Sequence, residues 1–218
     1  HAAGRGCRLY RNLGGMRFED ATAGSGLEQP FYGMGVTAGD VDADGDRDVF
    51  LTAYGRSRLF LNDGGLRFRE VGAAAGLADP LWTVGAAFFD ADTDGDLDLY
   101  SASYLDMPVK SHVFCGPGKG QRSYCHVDYW PGQEDRLWIN DGAGRFRDGS
   151  AEAGLHGALG KGLGVVGSDF DDDGDLDLFV ANDSQANVLL RNDGGGRFVD
   201  VAREASVDYN AEGRSEAC

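Results

Sequence analysis

The chain has 218 residues, 42% of them hydrophobic, which suits one large or two small globular domains and excludes an intrinsically disordered protein. Its formal net charge of −16 argues against nucleic acid or an anionic membrane surface as a partner. Glycine is abundant, with 35 residues against 5 prolines, which is typical of all-β folds with many tight turns. No apolar run approaches the roughly 18 to 20 residues that a membrane span needs.

Four glycine-rich hairpins recur along the chain. Each has an apolar run, a turn led by asparagine and an Arg-Phe pair five residues after that asparagine; the asparagines are Asn12, Asn62, Asn140 and Asn192. Apolar alternation on both sides of such a turn predicts a β-hairpin. Successive asparagines are 50, 78 and 52 residues apart, so the chain is a repeat array with one insertion.

Three aspartate-rich loops alternate with the hairpins. Each carries Asp at positions one, three, five, seven and nine and Gly at position six; the aspartates are Asp40, Asp42, Asp44, Asp46, Asp48, Asp90, Asp92, Asp94, Asp96, Asp98, Asp169, Asp171, Asp173, Asp175 and Asp177. Calcium prefers six to eight oxygen ligands, and Gly at position six permits the turn that gathers alternate side chains. We expect three structural Ca²⁺ ions, bound by side chains at positions one, three, five and nine and by the backbone carbonyl of position seven. A solvated acidic turn is the alternative, which three copies in one register make weak.

An EF-hand is excluded by the residues around these loops. An EF-hand requires a bidentate Glu at position twelve and a helix on each side, whereas position twelve is Leu51, Ser101 or Val180. The flanking segments are short apolar runs rich in aromatic and β-branched residues, which indicate buried strands. Each loop is therefore predicted to join two strands.

One repeat unit contains four predicted strands, A to D, at residues 35–39, 48–54, 57–61 and 66–71. Four antiparallel strands in about 50 residues indicate an all-β fold, a β-propeller with calcium loops between strands A and B; a solenoid or jelly roll is the weaker alternative. The predicted domain is one partial propeller: 8–20 end a blade, 33–71 form a blade, 83–149 a blade with a 105–135 insertion, 162–201 a blade, and 209–218 begin another. Three complete blades are too few to close a ring, so we expect a fragment whose open edges need remaining blades or another chain.

Because successive strands run in opposite directions, the insertion and the D–A connections are predicted to lie on the face opposite the calcium loops. Tyr124, Tyr129 and Trp130 in it, and Trp82 in a connection, are candidate anchors for a protein or glycan, with packing of the insertion onto its blade as the alternative. We predict a disulfide between Cys115 and Cys125; free thiols, or a metal site with His112, His126 and Glu134, remain alternatives. The partners of Cys7 and Cys218 stay open. A disulfide and calcium loops both favour a secreted or extracytoplasmic protein.

The sequence resembles the FG-GAP/VCBS repeat propellers, and more closely the ASPIC/UnbV group that includes cartilage acidic protein. The resemblance is carried by the three Asp loops, the Arg-Leu-aromatic-x-Asn-Asp-Gly hairpins, the Gly-Leu pairs at 26, 76 and 154, and the segment from Cys115-Gly116-Pro117 to Asp135-Arg136-Leu137. The literal Phe-Gly and Gly-Ala-Pro pairs are missing. The resemblance implies a secreted calcium-binding propeller for adhesion or scaffolding, without a shared enzymatic activity.

These observations are compatible with two functions. The first is a non-enzymatic binding module for an extracellular protein or glycan, with structural calcium. The second is the propeller portion or accessory domain of a larger extracellular enzyme, with any chemistry in the insertion or outside this chain. Nearly every close carboxylate pair belongs to a calcium loop, which leaves no general acid and base for the glycosidase reaction that such pairs would otherwise suggest.

Overall fold

The structure is a computed structural model that describes residues 6–108, 113–116, 118, 120–121, 123–155, 157 and 159–215. Within these residues the regular secondary structure is almost entirely β. The strands are β1 (Tyr10–Asn12), β2 (Phe18–Asp20), β3 (Gly33–Gly39), β4 (Asp48–Ala53), β5 (Arg58–Asn62), β6 (Phe68–Glu70), β7 (Thr83–Phe89), β8 (Asp98–Ser103), β9 (Gln133–Glu134), β10 (Arg136–Asn140), β11 (Phe146–Asp148), β12 (Leu159–Gly160), β13 (Gly162–Ser168), β14 (Asp177–Asn182), β15 (Val188–Asn192) and β16 (Phe198–Asp200).

Three four-stranded antiparallel sheets follow one another along the chain as the blades of a β-propeller. Blade I is β3-β4-β5-β6, blade II is β7-β8-β10-β11, and blade III is β13-β14-β15-β16. Strands β1 and β2 pair separately as a hairpin, and residues 209–215 contain turns but no strand. The predicted all-β blade fold is confirmed, with strand ends displaced by at most two residues.

Successive blades approach closely along their first strands. A Cβ atom on Gly35 would lie 2.6 Å from the carbonyl oxygen of Val84, and one on Gly85 would lie 3.0 Å from the Cα of Gly164. Glycine is therefore required at Gly35, whereas a side chain at Gly85 would need the neighbouring strand to shift by a few tenths of an ångström. The same approach brings the apolar faces of the sheets together.

The core consists of layers between blades. Phe50, Leu77 and Trp138 pack between blades I and II, whereas Tyr100, Leu155 and Leu190 belong to the layer between blades II and III. Each layer combines second-strand residues of one blade with third-strand residues of the next. A change at one of these positions consequently alters the cleft between two blades.

The insertion lies between the second and third strands of blade II and contacts the segment that leads into blade III. Its β9 pairs with β12, and a short 3₁₀ helix at Val127–Tyr129 lies nearby. The ammonium of Lys161, a residue only 4% exposed, donates to Asp128 Oδ1 at 2.9 Å. Cys115 and Cys125 form the predicted disulfide. His112 and Cys218 lie outside the described residues.

A search of the described residues for a helix long and apolar enough to cross a membrane finds none.

Candidate metal centres and the opposite face

Each Asp loop connects the first and second strands of its blade, as predicted. The chain turns through left-handed conformations at positions four and six; the residues are Ala43, Thr93 and Asp172 with φ of 58°, 63° and 60°, and Gly45, Gly95 and Gly174 with φ of 92°, 97° and 100°. Glycine adopts this conformation without a steric cost, whereas a β-branched residue such as Thr93 does so under strain. These turns direct alternate side chains toward one point.

Positions one and five hold the loop in shape through backbone amides. Asp40 Oδ1 accepts from the Asp44 N–H at 3.1 Å, and its Oδ2 accepts from Gly45 N–H at 3.0 Å. Asp44 Oδ1 in turn accepts from the Asp46 N–H at 2.8 Å. The other two loops repeat these bonds, so the arrangement follows from the spacing of the aspartates.

Position nine joins the loop to the hairpin of the same blade. Asp48 is fully buried; its Oδ2 accepts from the Val41 N–H and its Oδ1 from the Asn62 N–H, at 2.9 and 2.8 Å. Asp98 and Asp177 make the equivalent bonds. Burial raises the pKa of Asp98 to about 6, despite the opposing effect of the two amide donors. This residue is therefore a structural connection as well as a predicted ligand.

Position three points into the loop. The Oδ1 atoms of Asp42 and Asp92 are buried and have no hydrogen-bond partner among the described residues. Burial, and then the negative charges of Asp44 and Asp94, raise the pKa of these two carboxyls. A buried oxygen without a donor, surrounded by further carboxylates, is suited to a cation.

Each loop brings three of its four predicted side-chain ligands together. The clusters are Asp40, Asp42 and Asp48; Asp90, Asp92 and Asp94; and Asp169, Asp171 and Asp177, with one oxygen from each residue within 4.8 Å of the others. The fourth predicted side chains are Asp44, Asp98 and Asp173. Hard carboxylate oxygens at this spacing fit calcium.

Sequence reasoning missed the role of the hairpin asparagines. Asn140 Nδ2 donates to the Val41 carbonyl in the preceding blade at 2.8 Å, and Asn192 Nδ2 donates to the Ala91 carbonyl at 2.9 Å. Both carbonyls lie at position two of an Asp loop. The recurrence of asparagine at every hairpin turn is the available signal, but turn chemistry alone also explains an asparagine at this position.

The predicted aromatic anchors occupy different environments. Trp82 lies between Tyr54 and Tyr104 in perpendicular contacts, with ring centroids 4.9 and 5.0 Å away. Tyr124 is fully exposed, while Tyr129 and Trp130 contact each other at 6.1 Å. Trp82 accordingly packs within its own cluster, and the insertion aromatics remain the more accessible group.

Because Cys115 and Cys125 form a disulfide, their sulfur atoms are not available as ligands for the alternative metal site in the insertion. His126 contacts Asp128 at 3.2 Å, and Glu134 pairs with Arg136 at 2.7 Å. Among the described residues, the grouped metal-ligating side chains are those of the three Asp loops.

Comparison with known families agrees with the loop geometry. A profile of the FG-GAP-like repeat matches residues 40–101 and 169–215, half of the chain, and these segments include all three Asp loops. The chain belongs to the FG-GAP-like repeat family. The match confirms the broader of the two resemblances; the ASPIC/UnbV grouping stays a prediction.

Two further comparisons accompany this FG-GAP-like assignment. A search of curated proteins finds no match. Among solved structures, a lectin of Agrocybe aegerita, described as recognising non-reducing terminal N-acetylglucosamine, aligns with a TM-score of 0.49 and 15% identity. The alignment covers 90% of this chain and 46% of the lectin, so the chain spans less than half of that protein's length.

Proposed function

We propose that this FG-GAP-like chain is part of a secreted, calcium-binding propeller that acts as a non-enzymatic scaffold. Each Asp loop holds one Ca²⁺ ion, and the ion stabilises the connection between the first two strands of its blade. The disulfide of the insertion supports an extracytoplasmic location.

One observation carries the calcium proposal: the unpartnered, buried Oδ1 atoms of Asp42 and Asp92. A carboxylate oxygen left without a donor in a buried site costs free energy, about 1–3 kcal/mol or more for a charged group. The neighbouring carboxylates add repulsion, because the nearest charges are negative. A bound cation removes both costs, whereas a solvated acidic turn would leave these oxygens in contact with water.

The recognition surface of the scaffold is proposed on the opposite face. The insertion presents exposed aromatic rings there, with Tyr124 at 100% exposure and Tyr129 at 61%. Tyrosine offers a large apolar ring with a polar tip, which suits contact with either a protein or a glycan.

Calcium titration of the chelator-treated protein tests the proposal. Isothermal titration calorimetry should show three Ca²⁺ ions per chain, and Mg²⁺ should compete weakly because it demands a smaller octahedral site. At a free Ca²⁺ concentration 100-fold above Kd, each site adds about 2.7 kcal/mol to the free energy of unfolding. Thermal unfolding should therefore occur at a clearly higher temperature with calcium than with EDTA.

Two matched variants sharpen the test. Asp42→Asn should remove one bound ion, whereas Asp63→Asn should leave three, since Asp63 lies on the exposed hairpin and pairs with Arg69 at 3.0 Å. Both substitutions remove one negative charge. Equal stoichiometry in the two variants, or a melting temperature insensitive to EDTA, would refute calcium binding at these loops.

A further inference from the structure

The two clefts between complete blades are filled differently. The cleft between blades I and II contains a void of only about 10 Å³ beside Phe50, Ser57 and Trp138. The cleft between blades II and III contains a cavity of about 530 Å³ beside Tyr100, Asp135 and Leu190. Because both clefts belong to one repeat array, the first serves as a reference for the second.

Substitutions at equivalent repeat positions account for the difference in volume. Trp138 and Leu190 each stand two residues before the hairpin asparagine of their blade. Trp138 is nearly buried and its Nε1–H donates to Ser101 Oγ at 3.2 Å, so the indole ring fills the first cleft. Leu190 is smaller and leaves the second cleft open.

Two positions of the open cleft are more polar than their equivalents in blade I. Tyr100 stands where blade I has Phe50, and Asp135 stands where blade I has Ser57, at the residue before the third strand. The Tyr100 hydroxyl donates to Asp135 Oδ2, and the Ser103 N–H donates to Oδ1, both at 2.7 Å. A carboxylate has about four acceptor positions, so roughly two remain available on Asp135.

Among the described residues, no cationic side chain lines the cavity beside this carboxylate. The described residues that line it include Asn182, Ser184 and Tyr209 but neither lysine nor arginine. Arg136, the next residue in the chain, is held by Glu134 at 2.7 Å and by Asp79 and Asp148 at 3.5 Å. Burial raises the pKa of Asp135 to about 6, against the opposing effects of its two hydrogen bonds and of the Arg136 charge, so the carboxyl is still charged at pH 7. An apolar and hydroxyl-lined cavity with one negative charge therefore remains.

We infer that this cleft binds an organic cation, a guanidinium or ammonium group on an apolar stem, with the charge on Asp135 and the stem against Leu190 and Tyr209. The two available acceptor positions of the carboxylate suit a forked N–H donor. The source is an arginine or lysine side chain of a partner protein or a free alkyl cation of the same chemistry. This inference rests on the proposed binding function, since it names a ligand class for the scaffold.

Butylguanidinium and its neutral isostere butylurea are the probes for this site. Binding to the calcium-loaded chain is monitored by chemical shift changes in NMR spectra. The affinity for butylguanidinium should be at least tenfold higher than that for butylurea. Equal affinity for the two probes would overturn the inference, because the carboxylate would then contribute nothing. Tighter binding of acetyl-Gly-Arg-Gly-amide than of butylguanidinium would indicate a peptide source, and the reverse order a free cation.

Substitutions of cavity residues test whether butylguanidinium binds in this cavity. Asp135→Asn keeps the size and shape of the side chain, replaces one acceptor oxygen by an amide donor and removes the charge, and it should lower butylguanidinium affinity at least tenfold. Leu190→Trp should abolish binding by filling the cavity as Trp138 fills the other cleft, while Asp63→Asn should have no effect. If Leu190→Trp fails to fold, Asp135→Asn and Tyr209→Ala decide the matter, and unchanged affinity in both refutes the site.

Calcium stoichiometry measured on the same samples separates this inference from the proposed function. Three bound ions without probe binding would refute the cation site alone. Loss of calcium binding with retained probe binding would refute the calcium proposal alone.

Discussion

Replacing Asn192 by alanine should destabilise the protein far more than the same change at Asn62, although both residues lead equivalent hairpin turns. Asn192 is fully buried; its Nδ2 donates to Ala91 O at 2.9 Å and to Leu176 O at 3.5 Å, and its Oδ1 accepts from Gly194 N–H at 3.1 Å. Asn62 donates to Arg47 O at 3.2 Å and accepts from Gly64 N–H at 3.1 Å. The extra bond of Asn192 reaches the preceding blade.

The expected magnitudes follow from these bonds. Two partly exposed hydrogen bonds lost in Asn62→Ala correspond to about 1 kcal/mol, at the low end of about 0.5–1.5 kcal/mol per bond. Asn192→Ala loses comparable bonds and also strands the carbonyl of Ala91, a fully buried residue. An unsatisfied buried group adds about 1–3 kcal/mol, so the total is about 3 kcal/mol.

Thermal unfolding in saturating calcium, monitored by circular dichroism, measures the difference. For a chain of this length, about 2–4 °C of melting temperature corresponds to 1 kcal/mol, so the two variants should differ by about 4–8 °C. Asn140→Ala should behave like Asn192→Ala, because Asn140 donates to Val41 O at 2.8 Å. Equal losses in all three variants would show that the asparagines act only in their own turns and that blades do not depend on this contact.

Three further outcomes are expected. As pH rises from 4 to 7, the free energy of unfolding of Asp135→Asn should increase by about 3 kcal/mol relative to that of the native chain. A carboxyl whose folded pKa is raised to about 6 stabilises the fold when protonated, and the native chain loses that stabilisation as pH rises. Parallel pH profiles of the two chains would refute this. Thr93→Asn should raise stability by about 0.5–1 kcal/mol, since asparagine tolerates the left-handed φ of 63° better, and a lower midpoint in urea would contradict the strain argument. The third loop should bind Ca²⁺ more weakly than the first two, because Phe170 at its position two is 43% exposed, whereas Val41 at the same position of the first loop is 2% exposed. Asp171→Asn should therefore remove the weakest site in the calorimetric titration. Loss of a tight site instead would refute this expectation.

The loops and hairpins could be predicted from the sequence because their determinants are local. Asp at alternate positions with Gly at position six specifies a turn within nine residues, and the flanking apolar runs specify strands. Cys115 and Cys125 are ten residues apart, and their pairing also follows from a short separation. In each case a few neighbouring residues fix the conformation.

The contacts between blades could not be predicted in the same way. Asn140 and Val41 are separated by 99 residues, and Asn192 and Ala91 by 101, so only the folded array brings them together. The cavity beside Asp135 likewise depends on the relative sizes of Leu190 and Trp138 in two different layers. Sequence spacing predicts a repeat, but it does not predict how completely side chains fill the cleft between neighbouring blades.

The division of roles among the loop aspartates is the feature that links metal binding to blade packing. Val41 donates its N–H to Asp48 in its own blade and accepts at its carbonyl from Asn140 in the next. Asn140 donates its own N–H to Asp98, which also accepts from the Ala91 N–H in the second loop. The series continues through the Ala91 carbonyl to Asn192 and Asp177. Hydrogen bonds thus run beneath all three loops, and the Ca²⁺ ion proposed for one loop would also order the peptide group to which the next blade is hydrogen-bonded.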